Sequence, residues 1–145
     1  MPMNSFNVGS DCQVVVQHPL AAGGQLDLGD VTNFKAAQQT KALNYTTLEG
    51  TTKKGEYPTG WSGTFQLERT DHAVDDFICA LEQAVLNNQS AGVGTVYQYV
   101  TELDGSTSTY QFTGVAFKFT DAGTYAGAET VKQTIDFEAS TRVRV

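Results

Sequence analysis

GWSGTFQLERTDHAVDDF, residues 60–77, contains the change of period that decides the fold. Up to residue 69 the chain alternates. Trp61, Gly63, Phe65 and Leu67 fall on one face, and Ser62, Thr64, Gln66 and Glu68 on the other. That is a strand with one buried and one wet side. Beyond it, Val74, Phe77, Ile78, Leu81 and Val85 recur at helical spacing. Thr70 or Asp71 can cap the start. Asn87 and Asn88, with Gly92 beyond, can close the end. The sequence therefore predicts a helix over about 71–88, the one convincing helix of the chain.

Working outward, most of the remainder reads as strand. Residues 12–18, CQVVVQH, form a strand ended by Pro19, and LAAGGQ after it is a turn. Residues 25–29 alternate briefly. Residues 31–43 have no clear period and are assigned to a strand because their neighbours are strands. Residues 44–60, NYTTLEGTTKKGEYPTG, read as a long protruding loop or hairpin, rich in Thr and Gly and poor in large apolar side chains. Residues 95–103 and 109–119 flank Asp104-Gly105, which suits a tight hairpin. Along the second of these strands the apolar phase slips from Tyr110 and Phe112 to Val115, Phe117 and Phe119, and Gly114 at the switch predicts a bulge.

A Gly-rich connection, 121–128, leads to the last strand. There Val131, Gln133, Ile135, Phe137 and Ala139 face one way, and Lys132, Thr134, Asp136 and Glu138 the other. The tail TRVRV is expected to keep that phase, with Arg142 and Arg144 on the polar side. The order predicts a mainly β chain: an antiparallel β-sandwich or barrel with one flanking helix, as one domain over 1–145.

Asp71, His72, Asp75 and Asp76 are the densest group of titratable side chains in this stretch. His72 and Asp76 are four apart and can touch on a helix, as can Asp71 and Asp75. A metal or acid–base site uses such groups. However, only one His is present, with His18 far away in sequence, and acids in a first helical turn are what the macrodipole favours. A structural role is expected: no catalytic residue, no metal ligand and no cofactor site. Gly60-Trp61-Ser62-Gly63 brings its last Gly one residue too early for a nucleophile elbow, and it opens a strand. Gly92-Val93-Gly94 follows a helix instead of preceding one, so it is no dinucleotide loop.

The formal net charge of −7 argues against a protein that grips DNA or an anionic membrane. It suits a surface that DNA passes without sticking. Cys12 and Cys79 lack any ligand spacing and are expected to be buried, reduced thiols. The first residues show no secretory pattern and no apolar run is long enough to span a bilayer, so neither a signal peptide nor membrane insertion is expected.

The segment GWSGTFQLERTDHAVDDFICALEQAV resembles the strand-then-helix core of bacteriophage tail tube proteins, especially those of contractile tails. The positions that carry the resemblance are Gly60, Trp61, Ser62, Gly63, Arg69, Asp75, Asp76 and Phe77. It implies a fold similar to the type VI secretion tube protein and self-assembly into stacked hexameric rings. The lumen would be polar or acidic, and DNA would pass through it without tight binding. It also implies a virion tail location after assembly in the host cytoplasm. The partners implied are a sheath, a baseplate or tail terminator, and a tape measure protein.

On that basis Ser62, Thr64, Gln66, Glu68, Lys132, Thr134, Asp136 and Glu138 are expected to line the lumen. Lys53, Lys54, Glu56 and Tyr57 are expected to form a ring-stacking contact. The basic tail is placed at a subunit or ring contact, or near the sheath. The alternatives are a secretion-system tube ring, a monomeric β-barrel binding module for a ligand such as sugar, and an enzyme built on the acidic corner.

Overall fold

The computed structural model describes residues 6–21, 24–26, 30–90 and 92–145. A 3-10 turn (Gly9–Asp11) precedes β1 (Cys12–Gln17), β2 (Gln25–Leu26), β3 (Asp30–Thr46) and β4 (Thr52–Glu68). Helix α1 (Ala73–Leu86) follows, then β5 (Gly94–Thr101), β6 (Thr107–Asp121), β7 (Lys132–Ala139) and β8 (Thr141–Arg144). The pairings are antiparallel. The first sheet runs β2-β1-β5-β6-β8 and the second β6-β7-β4-β3, so β6 belongs to both. The fold is mainly β and sandwich-like with one flanking helix, and the sheet path is not closed into a barrel. Of the short strand expected at 25–29, positions 27–29 lie outside the described residues, as do positions 22–23 of the preceding turn.

The predicted bulge at Gly114 is the corner where β6 leaves one sheet for the other. Opposite β5 the register jumps from Val96↔Phe112 to Gly94↔Val115. Phe112 and Val115 are thereby both buried, although they are three apart. Gly114 has φ +63, and a Cβ there would lie 2.6 Å from Ser140 Oγ. Ser140, between β7 and β8, donates its N–H to Thr113 O at 2.8 Å. The neighbouring strand thus changes sheet at the same level. This corrects the expected phase of the tail: Arg142 and Arg144 pair with Phe112 and Tyr110, on the inward side of the first sheet. The physical reason is the crossing at Ser140, which shifts the alternation by one residue.

The core lies between the sheets. Phe65, Phe112, Phe137, Leu67, Ile135, Val16, Val96 and Val115 are fully buried. Each contributes about 1.5–3 kcal/mol through burial. Phe34, Phe65 and Phe137 stack at centroid distances of 5.6–6.3 Å, with Phe112 edge-on to Phe137. Gly63 lies flat under that stack: a Cβ would lie 2.5 Å from Phe137 Cζ and would also strike the Lys35 carbonyl.

The stretch 44–60, read as a protruding loop or hairpin, is the outer part of a hairpin. Asn44, Tyr45 and Thr46 close β3 and Thr52–Gly60 lie in β4, so only residues 47–51 form the turn. Thr47 donates to Thr51 O, Gly50 donates to Thr47 O, and Gly50 has φ +87. Cross-strand pairing of Thr, Lys and Tyr holds this part of the ladder without any apolar alternation. Beyond a bulge between Gln39 and Thr40, residues 40–58 form a two-stranded arm, exposed except at the half-buried Thr47 of the turn.

Helix α1 is shorter than the predicted 71–88. Asp71 Oδ1 accepts the Ala73 N–H at 3.0 Å. At the other end Asn88 adopts φ +60, and Gln89 N–H reaches Ala84 O at 2.8 Å. This closes the helix in the manner usual for Gly, so Gly92 is not the closing residue. Val74, Phe77 and Ala84 are buried, with Ile78 and Leu81 packed against the core. Val85, expected in the apolar stripe, is instead exposed, because the last turn overhangs the sheet beside an apolar groove of about 390 Å³. The cysteines are free, but neither is buried as expected. Cys12 is half-buried, and Cys79 is exposed because it lies nearly opposite the buried Phe77 around the helix.

Candidate assembly surfaces

The wet faces of β4 and β7, read separately in the sequence, join into one surface. β4 pairs with β7 as Ser62↔Glu138, Thr64↔Asp136, Gln66↔Thr134 and Glu68↔Lys132. Directly opposed residues of an antiparallel pair point to the same side, so all eight expected positions share a face. Lys132 and Glu138 are exposed and the other six half-buried.

Pairing extends these rows across four strands. Lys35 on β3 and Lys118 on β6 complete the row of Thr64 and Asp136. Ala37 and Ala116 complete the row of Ser62 and Glu138, and Asn33 and Asp121 that of Gln66 and Thr134. Asp30 adds to the row of Glu68 and Lys132. Sequence reasoning missed the β3 and β6 contributions, because alternation within a strand does not reveal its neighbours.

Polar contacts knit the face. Thr64 Oγ1 donates to Asp136 Oδ1 at 2.7 Å. Hydrogen bonds from Thr120 and Thr64, with a smaller contribution from Lys118, hold the Asp136 carboxyl below its ordinary pKa. That carboxyl therefore stays ionised at neutral pH. It carries Asp30, Glu68, Asp121, Asp136 and Glu138 against Lys35, Lys118 and Lys132, an acidic balance. The outward face of the first sheet is different. Rows such as Val15–Tyr97–Gln111–Val143 and Gln13–Tyr99–Thr109 carry no charge.

On the arm the four expected stacking residues divide. Lys53 and Tyr57 share a face with Lys41, Leu43 and Tyr45, whereas Lys54 and Glu56 are on the reverse with Asn44 and Ala42. Leu43, Tyr45 and Tyr57 are 49%, 63% and 61% exposed. Glu56 accepts a hydrogen bond from Thr40 Oγ1 at 2.8 Å. Among the described residues the arm lysines form no ion pair.

The acidic corner is tied into the fold. Asp75 accepts from Arg69 Nε at 2.9 Å and from the buried Gln133 Nε2 at 2.9 Å. It thereby clamps the end of β4 and the start of α1 onto β7. His72 Nδ1 lies 2.5 Å from Asp76 Oδ2, and that hydrogen bond raises the His72 pKa. Among the described residues no three His, Cys, Asp or Glu side chains are grouped to hold a metal ion. No helix among them is long and apolar enough to cross a membrane.

His18 is buried, accepts the Leu20 N–H on Nδ1 at 3.0 Å, and lies edge-on to Phe77. Burial lowers its pKa. Arg142 lies over the rings of Tyr110, Trp61 and Phe112, at 3.9, 5.1 and 5.6 Å. The sequence hid this role, because nothing local marks the crossing at Ser140.

No protein-family model matches the chain, and no curated protein matches it by sequence. Solved structures do match in fold. A chain from the sheath-tube complex of an extracellular contractile injection system, PVC, in the extended state superposes with a TM-score of 0.65. Identity is 9%, covering 97% of this chain and 93% of that one. The tube-terminating cap of the anti-feeding prophage gives 0.60 at 10% identity, over 100% and 95%. The tail of an empty gene transfer agent particle, refined with C6 symmetry, gives 0.57 at 9%, over 97% and 99%. The chain therefore has a contractile-tail tube-like fold, as the resemblance of residues 60–85 implies.

Proposed function

We propose that this chain is a structural tail protein that assembles into hexameric rings stacked as a hollow tube, through which DNA passes. The observation that carries this reading is the four-stranded polar face, set in a fold whose whole length matches tail-tube-like structures. The second sheet ends in two open edges. One is the outer edge of β3. The other is the 116–121 part of β6, which among the described residues pairs only with β7. Edges of this kind invite strand pairing, and pairing head to tail around a closed ring removes them.

In this assembly the rows of Thr64–Asp136 and Ser62–Glu138 face the lumen. Their acidic balance repels the phosphate backbone, so DNA slides instead of binding. The arm, with Lys53, Lys54, Glu56 and Tyr57, forms the ring-to-ring contact. A sheath, a baseplate or terminator, and a tape measure protein are its proposed partners, and the virion tail its location. None of these roles involves catalysis.

A second reading is the tube ring of a secretion or injection system. One of the similar structures, that of PVC, comes from an extracellular contractile injection system. Electron microscopy of the purified protein tests the shared core. Sixfold rings or tubes, with a channel at least as wide as duplex DNA, are expected. A monomer at all concentrations and ionic strengths would sink it.

A further inference from the structure

The arm carries a charge opposite to that of the body. Three of the nine Lys and Arg and two of the sixteen Asp and Glu lie on residues 40–58, which are thus net +1 and leave −8 for the rest. The acids of the body are not spread evenly. At the end of the second sheet furthest from the arm, Asp30 opens β3, Glu68 and Asp121 close β4 and β6, and Lys132 opens β7. Asp75, clamped to Arg69 and Gln133, brings the first turn of α1 to the same end. Glu129 lies nearby in the β6–β7 connection. With Gln66, Asp121, Thr124, Thr130 and Lys132 it lines a polar hollow of about 620 Å³.

The arm tip is chemically suited to that end. Lys53 and Lys54 lie next to the turn, where Leu48 is fully exposed. A lone two-stranded ribbon is marginally stable in water, and this one leaves Leu43, Tyr45 and Tyr57 about half or more exposed. Arm and acidic end lie at opposite ends of one sheet, so a single copy does not join them. Two copies do, and the contact repeats by translation along the strand direction. Such a head-to-tail contact propagates instead of closing on a pair.

We infer that the arm of one copy docks on the acidic end of the second sheet of another copy, with Lys53 and Lys54 against the acids around Asp30 and Glu129. This rests on the tube reading and names the recipient of its stacking contact. The opposite charges steer the approach and fix its polarity. Arms repel arms, and acidic ends repel acidic ends.

Charge reversal with rescue tests this. Both target pairs are exposed, and no side-chain hydrogen bond or ion pair is formed by Asp30, Glu129, Lys53 or Lys54 among the described residues. The variants are Lys53→Glu/Lys54→Glu, Asp30→Lys/Glu129→Lys and all four together, each checked for native circular dichroism and thermal unfolding. Tube length is then measured by negative-stain microscopy. Each double variant is expected to keep rings but shorten tubes about tenfold or more, and the quadruple variant to recover length to within about twofold. Normal tubes from folded Asp30→Lys/Glu129→Lys protein would overturn the inference and leave the tube reading intact. So would a quadruple variant no better than the arm variant. Wild-type protein that forms neither rings nor tubes would instead remove the reading beneath it.

Discussion

The inner and outer halves of the β3–β4 hairpin use the same ladder for opposite ends. In the inner half Phe34 pairs with Phe65 and Ala36 with Gly63, and the apolar side packs on Phe137 and Phe112. In the outer half Leu43 pairs with Gly55 and Tyr45 with Lys53, and the same backbone pairing has no core beneath it. Backbone pairing runs on either side of the bulge at Gln39 and Thr40, so pairing does not make the difference. Burial does: a ladder bond adds about 0.5–1.5 kcal/mol net, while a buried Phe adds more and locks the register.

That contrast breaks most visibly at Phe65. Phe65→Ala is expected to cost about 3–5 kcal/mol, read as a lowered denaturant midpoint. A loss below about 1 kcal/mol would mean that the inner half is not anchored as described. Gly63→Ala comes next, at about 1–3 kcal/mol from overpacking against Phe137. Smaller again is acidification, which acts on the body and not on the arm. His18 has its pKa lowered in the folded chain by burial, below the ordinary 6.5. The unfolded chain therefore takes up the proton first as pH falls. The contribution of His18 is complete above about pH 6.5 and declines below it. The His18 contribution to the melting temperature is expected to fall from pH 7.5 to pH 5, against the opposite contribution of His72, and is read as the difference in slope between wild type and His18→Phe. Smallest of all is the effect of Leu43→Ser/Tyr57→Ser on the isolated chain, within about 0.5 kcal/mol. Hydrogen exchange sharpens the point: amides of 40–58 should exchange much faster than those of 61–68 in the monomer and become protected in the assembly.

The same division governs what the sequence makes legible. Strand 61–69, helix α1 and strand β7 are readable because one side of each is buried, and burial writes a period into the residues. The eight polar positions on β4 and β7 are readable for the same reason. Their union into one face is not, because it depends on which strands lie side by side. The arm lacks a period because it buries nothing within its own chain. One local signal does exist. Leu48-Glu49-Gly50 at the arm tip repeats the pattern of Leu103-Asp104-Gly105, where Gly105 N–H reaches Glu102 O and φ is +91. Recognising that pair places the turn at 47–51. Ser140 shows the opposite case. The crossing there is fixed by the neighbouring Gly114, so an alternation extrapolated along its own strand puts Arg142 and Arg144 on the wrong side.

The corner at Gly114 and Ser140 also has a mechanical meaning. A pull on the arm is passed sideways from β4 to β7 and on to β6, each step across antiparallel strands loaded in shear. Because β6 runs unbroken into the first sheet, the load continues into β5 and β1 through covalent backbone, with no soft joint between the layers. The two sheets therefore strain together as one elastic body, and the compliant part of the molecule is the arm.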